Sequence, residues 1–188
     1  MPESRTDARR ATYEDLLALP EHVVGEIVAG ELIVSPRPAP RHAVASSALG
    51  GELGPPYQGG RGGPGGWWII DEPELHLGKD ILVPDLAGWR RARMPVVPET
   101  AHFALAPDWI CEVLSPDTAR LDRQKKLAIY AREGVAHGWL LDPIQRTLEV
   151  LRLDGRRWVI VAVHAEQEEV RAEPFEATTL PLARLWVD

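Results

Sequence analysis

Three side chains in this sequence have the types and surroundings for ion and proton chemistry: Asp85, Glu112 and a lysine of "LDRQKKLAIYAREGV". Glu112 interrupts "DWICEVLSP", where Ile110, Cys111, Val113 and Leu114 read as a buried strand. A carboxylate there is costly unless something pairs with it. Along an extended strand Ile110, Glu112 and Leu114 share one face, and Cys111 and Val113 the other. In "ILVPDLAGW", read as another strand, Asp85 shares a face with Val83 and Ala87, and Pro84 marks an edge or bulge because it cannot donate to a ladder. Two neighbouring strands would set Asp85 and Glu112 side by side. Paired carboxylates repel unless one is protonated or a cation lies between them. A hard divalent cation such as Mg²⁺ (or Mn²⁺) wants such oxygen ligands and keeps several waters for substrate.

The lysine is chosen by helix geometry. Residues 117–135, "DTARLDRQKKLAIYAREGV", read as the clearest helix, with Asp117 as its cap and Gly134 as its end. Leu127, Tyr130, Ala131 and Gly134 form one stripe, and Lys125 points away from it. Lys126 lies on the stripe's flank, in line with Asp122 and Tyr130. Lys126 is therefore preferred, and its loss is expected to abolish activity at little cost in stability.

The elements that must position these groups follow from pattern. "TYEDLLALP" suggests a short helix capped by Thr12, and "GEIVAGELIVSP" a hairpin about Ala29-Gly30. "HAVASSALGGEL" reads as a helix, and residues 54–66, "GPPYQGGRGGPGG", as a loop without regular structure. "GWWII", "ELHL", "HGWLLDP", "TLEVLRLDG" and "RWVIVAVH" read as further strands. The order gives a mixed α/β fold, with residues 1–11 as a flexible N-terminus and 12–188 as one domain.

Composition removes several classes. Cys111 is the single cysteine of 188 residues, so neither an intrachain disulfide nor a cysteine-based zinc site is available. The six histidines are scattered, with no HExxH-type cluster. No GxSxG or P-loop pattern occurs. The formal charge of −7 counts against a large nonspecific nucleic-acid surface, though not against a local basic patch around an acidic centre. No apolar signal or membrane segment is evident, and the expected location is cytoplasmic.

"VPDLAGW" followed by "PDWICEVLSP" resembles the PD-(D/E)XK, restriction-endonuclease-like superfamily. With "GEIVAGELIVSPRPAPRH" before them and "DRQKKLAIYAREGVAHGWLLDP" after, the ordered set resembles its Uma-two branch from about Thr12 to the C-terminus. The usual lysine two residues after the acid is Leu114 here; in the branch the lysine stands on the following helix, at Lys126.

The resemblance implies a central mixed sheet flanked by helices and metal-assisted phosphodiester hydrolysis, with nucleic acid, chiefly DNA, as partner. Asp85 and Glu112 would hold Mg²⁺ or Mn²⁺, and Lys126 would orient water or steady the phosphate. Glu26 and His42 match branch positions and are further candidates, as is Glu74 on its alternating strand. Arg90, Arg91, Arg93, Arg120 and Arg123 are candidate phosphate contacts. A homodimer is expected from the need to cut two strands. The alternative is a catalytically silent nuclease fold that binds nucleic acid or protein.

Overall fold

The computed structural model describes residues 9–187 apart from Glu21 and Pro36. Most of the expected flexible N-terminus, residues 1–8, lies outside the described residues; Ala11 donates its N–H to the Gly30 carbonyl at 2.9 Å. Thr12 opens α1 (Tyr13–Leu17) through a capping box with Asp15. β1 (Val24–Val28) and β2 (Glu31–Ser35) form the expected hairpin, and Ala29 and Gly30 in its turn have φ of 55° and 85°. Two successive positive φ angles match the right-handed twist of the strands they join.

Pro40 begins α2 (Pro40–Leu53), a position where a missing N–H costs nothing. The segment 54–66 departs from expectation, because Gly54–Gln58 continues α2 as one π turn and buries Tyr57. Pro55 and Pro56 bring no N–H to the helical ladder, and Gly59 reaches back five residues to the Gly54 carbonyl at 2.9 Å.

β3 (Trp67–Asp71), β4 (Leu75–Leu77), β5 (Asp80–Leu82), β6 (Leu86–Arg90) and β7 (Trp109–Val113) follow. "ILVPDLAGW" is thus two strands rather than one, broken at Val83-Pro84-Asp85, where the chain leaves one sheet for another. After β7 comes a helix built in three parts: α3 (Ala119–Leu121), a π turn over Asp122–Lys126, and α4 (Leu127–Arg132). Asp117 does not cap it. The Ser115 side chain accepts from the Thr118 N–H at 3.2 Å instead, and Gly134, at φ 76°, follows its end. β8 (His137–Asp142), β9 (Thr147–Asp154), β10 (Arg157–Ala165), β11 (Glu169–Val170) and β12 (Leu180–Pro181) complete the strands.

Six strands form the central sheet in the order β10-β9-β8-β7-β6-β3. Only β7 and β8 are parallel in it, which is why the long helix must lie between them as a crossover. A four-stranded sheet, β2-β1-β5-β4, packs beside it. Alternation along β7 sets the layers. Trp109, Cys111 and Val113 join Leu49 and Leu53 of α2 and the C-terminal Phe175, Leu182 and Leu185 on one face. Ile110 and Leu114 join Leu127 and Tyr130 of the crossover helix and Val28, Leu75 and Leu82 of the smaller sheet on the other. Glu112 faces this second layer, buried at the end of β7.

Candidate active-site cleft

The strand break at Pro84 places the first acid. Leu86 pairs with Cys111 in the antiparallel β6–β7 ladder, so Asp85, one step earlier, stands opposite Glu112. Asp85 precedes β6, and its side chain takes up what the ladder leaves: Oδ2 accepts the Val113 N–H at 2.7 Å. Its other oxygen lies 3.2 Å from His42 Nε2, in the first turn of α2.

The crossover helix supplies the amine. In its π turn the Leu127 N–H reaches back five residues to the Asp122 carbonyl. Lys126 is only 3% exposed, and its Nζ lies 2.9 Å from Glu112 Oε1, 2.9 Å from Glu26 Oε1 and 3.7 Å from Asp122 Oδ1. Tyr130 donates its hydroxyl to Glu112 Oε1 at 2.6 Å. Glu26 Oε1 also accepts the Val83 N–H at 2.8 Å, which ties the hairpin to the strand break. Lys125 is exposed and pairs with Glu31 at 2.6 Å.

Charge in this group is unbalanced: three carboxylates, Glu112, Glu26 and Asp122, face one ammonium. Burial disfavours the charged amine of Lys126, but Glu112, Glu26 and Asp122 outweigh it and hold its pKa well above the usual value. Burial, opposed by Lys126, combines with the other acids to push Glu112 well up, and Asp122 is raised in the same way. His42 is half-buried; burial lowers its pKa, yet the Asp85 carboxylate beside it gives a net rise. Its Nδ1 is buried with no hydrogen-bond partner among the described residues.

A cleft of about 340 Å³ opens over these groups and is lined by Glu26, His42, Asp85, Glu112, Asp122 and Lys126. Arg37, Glu72 and Thr118 also line it. The fold therefore brings together five residues singled out in the sequence: Asp85, Glu112, Lys126, Glu26 and His42. It leaves Glu74 out of the cleft lining; that carboxylate lies 2.7 Å from His76 Nε2.

The arginines divide. Arg120 and Arg123 lie on the early part of the crossover helix, where Arg120 is exposed and Arg123 pairs with Glu149 through both guanidinium nitrogens at 2.5 and 2.8 Å. Arg90, Arg91 and Arg93 stand at the opposite end of β6 from Asp85, roughly 17 Å away along an extended strand. There Arg93 pairs with Asp108 at 2.9 Å, and Arg90 and Arg91 cover the rings of Trp67 and Trp68. These three therefore stand away from the cleft, each with a partner in the fold.

Sequence reasoning assigned no role in the site to Tyr130, Asp122 or Arg37. Tyr130 read only as part of the helix stripe, yet its hydroxyl binds Glu112; its position four after Lys126 was the available signal. Asp122, four before Lys126, carried the same signal. Arg37 sits in the Pro-rich segment before α2, and nothing in its spacing points to the cleft.

A family model described as "Putative restriction endonuclease", Uma2, matches residues 11–183. The chain belongs to the Uma2 family. Uma2 chains are related to the PD-(D/E)XK superfamily, and the mixed central sheet, flanking helices, N-terminal hairpin and C-terminal strands described above make a restriction-endonuclease-like fold. This Uma2 chain is similar to a solved protein from Anabaena variabilis ATCC 29413, described as "a putative nuclease belonging to DUF820". The two are 25% identical with a TM-score of 0.70, over 93% of this chain and 97% of the other. No match is found among curated proteins. Among the described residues no helix is long and apolar enough to cross a membrane.

A Uma2 chain with a resident divalent ion needs a donor set that fits one. Asp85, Glu112, Glu26 and Asp122 offer only oxygens, the choice of Mg²⁺ and Mn²⁺. Burial, and after it the neighbouring acids, hold the pKa values of Glu112 and Asp122 above the usual carboxylate range against the pull of Lys126. An ionised carboxylate has about four lone-pair sites. Asp85 uses two of them, on Val113 and His42, so acceptor capacity remains. This oxygen-only set is the kind of donor such an ion takes.

Proposed function

We propose that this Uma2 protein is a divalent-metal-dependent nuclease that hydrolyses phosphodiester bonds of DNA. The observation that carries the reading is the meeting of Asp85, Glu112 and Lys126 at one end of the β6–β7 ladder, beneath an open cleft. Asp85 and Glu112 would hold Mg²⁺ or Mn²⁺. When bound, such an ion polarises a phosphoryl oxygen and lowers the pKa of its water.

The protein's own groups do the rest. Lys126 keeps its proton because three carboxylates face it, and it places a fixed positive charge where negative charge grows on the phosphate. Glu112 is held in one orientation by Lys126 and Tyr130, so it needs no rearrangement when substrate arrives. His42 faces Asp85 from α2 and fixes the second oxygen of that carboxylate. Arg37 at the cleft and Arg120 on the crossover helix are cations that a nucleic-acid backbone could meet. Cleavage of both strands would call for two copies of the chain, and a homodimer belongs to this reading.

The test is conversion of supercoiled plasmid to nicked and linear forms in Mg²⁺ or Mn²⁺, with EDTA as control. Wild type should cleave, and Asp85→Asn, which keeps the side chain's shape, should lose at least about 100-fold in rate. Equal cleavage by the variant removes Asp85 from the site. Metal-independent absence of cleavage with retained DNA binding would favour a silent binding module.

A further inference from the structure

Away from the cleft, the fold collects a second group of metal-binding side chains. The sequence scatters its histidines, but the structure brings two of them to one carboxylate. Glu74, His76 and His102 each offer a ligand atom, and these atoms all lie within 4.8 Å of one another. The backbone holds them there. Phe103 donates its N–H to the Glu74 carbonyl at 2.9 Å, and His76 donates to the Phe103 carbonyl at 2.9 Å. This short parallel bridge alongside β4 fixes His102 beside His76, with their rings stacked 3.8 Å apart and 14° between planes. Alternation along β4 buries Leu75 and Leu77 in the core and turns Glu74 and His76 to the partly open face.

We propose that Glu74, His76 and His102 form a second metal site, suited to a late first-row divalent ion such as Zn²⁺. Two imidazoles and one carboxylate match Zn²⁺ and its neighbours, whereas Mg²⁺ prefers oxygens alone. Three protein ligands leave a coordination position for solvent. Zn–N bonds of about 2.0–2.1 Å would require the stacked rings to rotate until both aim a nitrogen at the ion. The 2.7 Å contact of His76 Nε2 with Glu74 Oε1 is one the ion would replace, while Glu74 is already oriented by Tyr13, which donates its hydroxyl to the same oxygen at 3.1 Å. A hydrogen bond of that kind commonly holds a ligating carboxylate in place. The ion would join the edge of the four-stranded sheet to the segment around residue 102, two parts distant in sequence. A Glu74–His76 pair alone explains one histidine; the bridge that brings His102 to the same point needs a second reason. This site stands apart from the nuclease reading and survives its failure.

The experiment uses the full chain stripped with EDTA. Zn²⁺ is titrated against a chromophoric chelator, and Co²⁺ serves as a spectroscopic probe. One Zn²⁺ should bind outside the cleft, unaffected by Asp85→Asn, and Co²⁺ should give the visible absorption of a low-coordinate ion with nitrogen ligands. His102→Ala should weaken binding about 100-fold or more. Should that variant misfold, nitrogen NMR of the wild-type histidine rings decides the matter, since Zn²⁺ must shift both His76 and His102. Undiminished Zn²⁺ binding by a folded His102→Ala protein overturns the proposal, as does a wild-type spectrum in which those two rings do not respond.

Discussion

The Lys126 ammonium and the Glu112 carboxylate form a buried ion pair, with Nζ 2.9 Å from Oε1 and 3.0 Å from Oε2. The sequence led us to expect that this lysine could be removed at little cost. Its burial corrects that expectation, because loss of the amine strands Glu112, Glu26 and Asp122 as unpaired buried acids. Lys126→Met should destabilise the fold by about 3–5 kcal/mol and abolish cleavage. Lys125→Ala removes only an exposed pair with Glu31 and should change stability by less than about 1 kcal/mol. Urea unfolding of both variants is the check; equal losses would contradict the placement of Lys126.

Tyr130→Phe isolates one hydrogen bond. The ring stays in its buried setting, and only the hydroxyl on Glu112 is lost. A bond to a charged group carries about 1.5–3 kcal/mol, so unfolding free energy should fall by that amount with little change in the denaturant slope. A change below about 0.5 kcal/mol would mean that Lys126 alone satisfies the carboxylate.

His137 should make the fold sensitive to acid. Burial lowers its pKa below the ordinary value, although Glu173, 3.5 Å away, pulls the other way. A histidine with a depressed folded pKa lends its stability above the unfolded value near 6.5. That stability is lost as pH falls through the folded pKa. Thermal unfolding from pH 7.5 to pH 5 should therefore show a decline that His137→Asn reduces. An unchanged slope in the variant would assign the decline to other groups.

Gly88 lies mid-strand in β6, opposite Trp109. A Cβ there would meet Trp109 at 3.1 Å and Ile69 and Trp67 at 3.3 Å. Gly88→Ala should cost about 1–3 kcal/mol through overpacking, despite the gain in strand propensity. Thermal unfolding measures it, and a neutral result would show that the tryptophans give way.

The alternating faces of residues 110–114 were legible in the sequence, because a strand's period of two assigns each side chain without knowledge of its partners. The choice of Lys126 over Lys125 was legible for the same reason, from helix phase. Asp85 opposite Glu112 was legible as a neighbourhood, though the break of "ILVPDLAGW" into two sheets was not. Pro84 signalled an interruption but not the direction the chain takes after it. The Asp117 cap failed because Ser115 lies at the right distance to do the same work. The convergence of His76 and His102 depends on a single bridge between residues 75 and 103, a long-range pairing with no local signature. The contacts of Arg90, Arg91 and Arg93 with Trp67, Trp68 and Asp108 were likewise beyond a reading of local pattern.

The five-residue turn ending at Lys126 has a consequence for how this site tolerates change. A widened turn holds one residue more than a regular one, and each residue of a helix turns it by about 100°. Removing a residue between Asp122 and Lys126 would let the helix close regularly and leave Lys126 in phase with Leu127 and Tyr130, while Asp122 and the turn before it rotate by about 100°. The half of the helix before Lys126 and the half after it are thus set by separate constraints. A one-residue deletion there would take Asp122 from the amine and leave Glu112 and Glu26 on it.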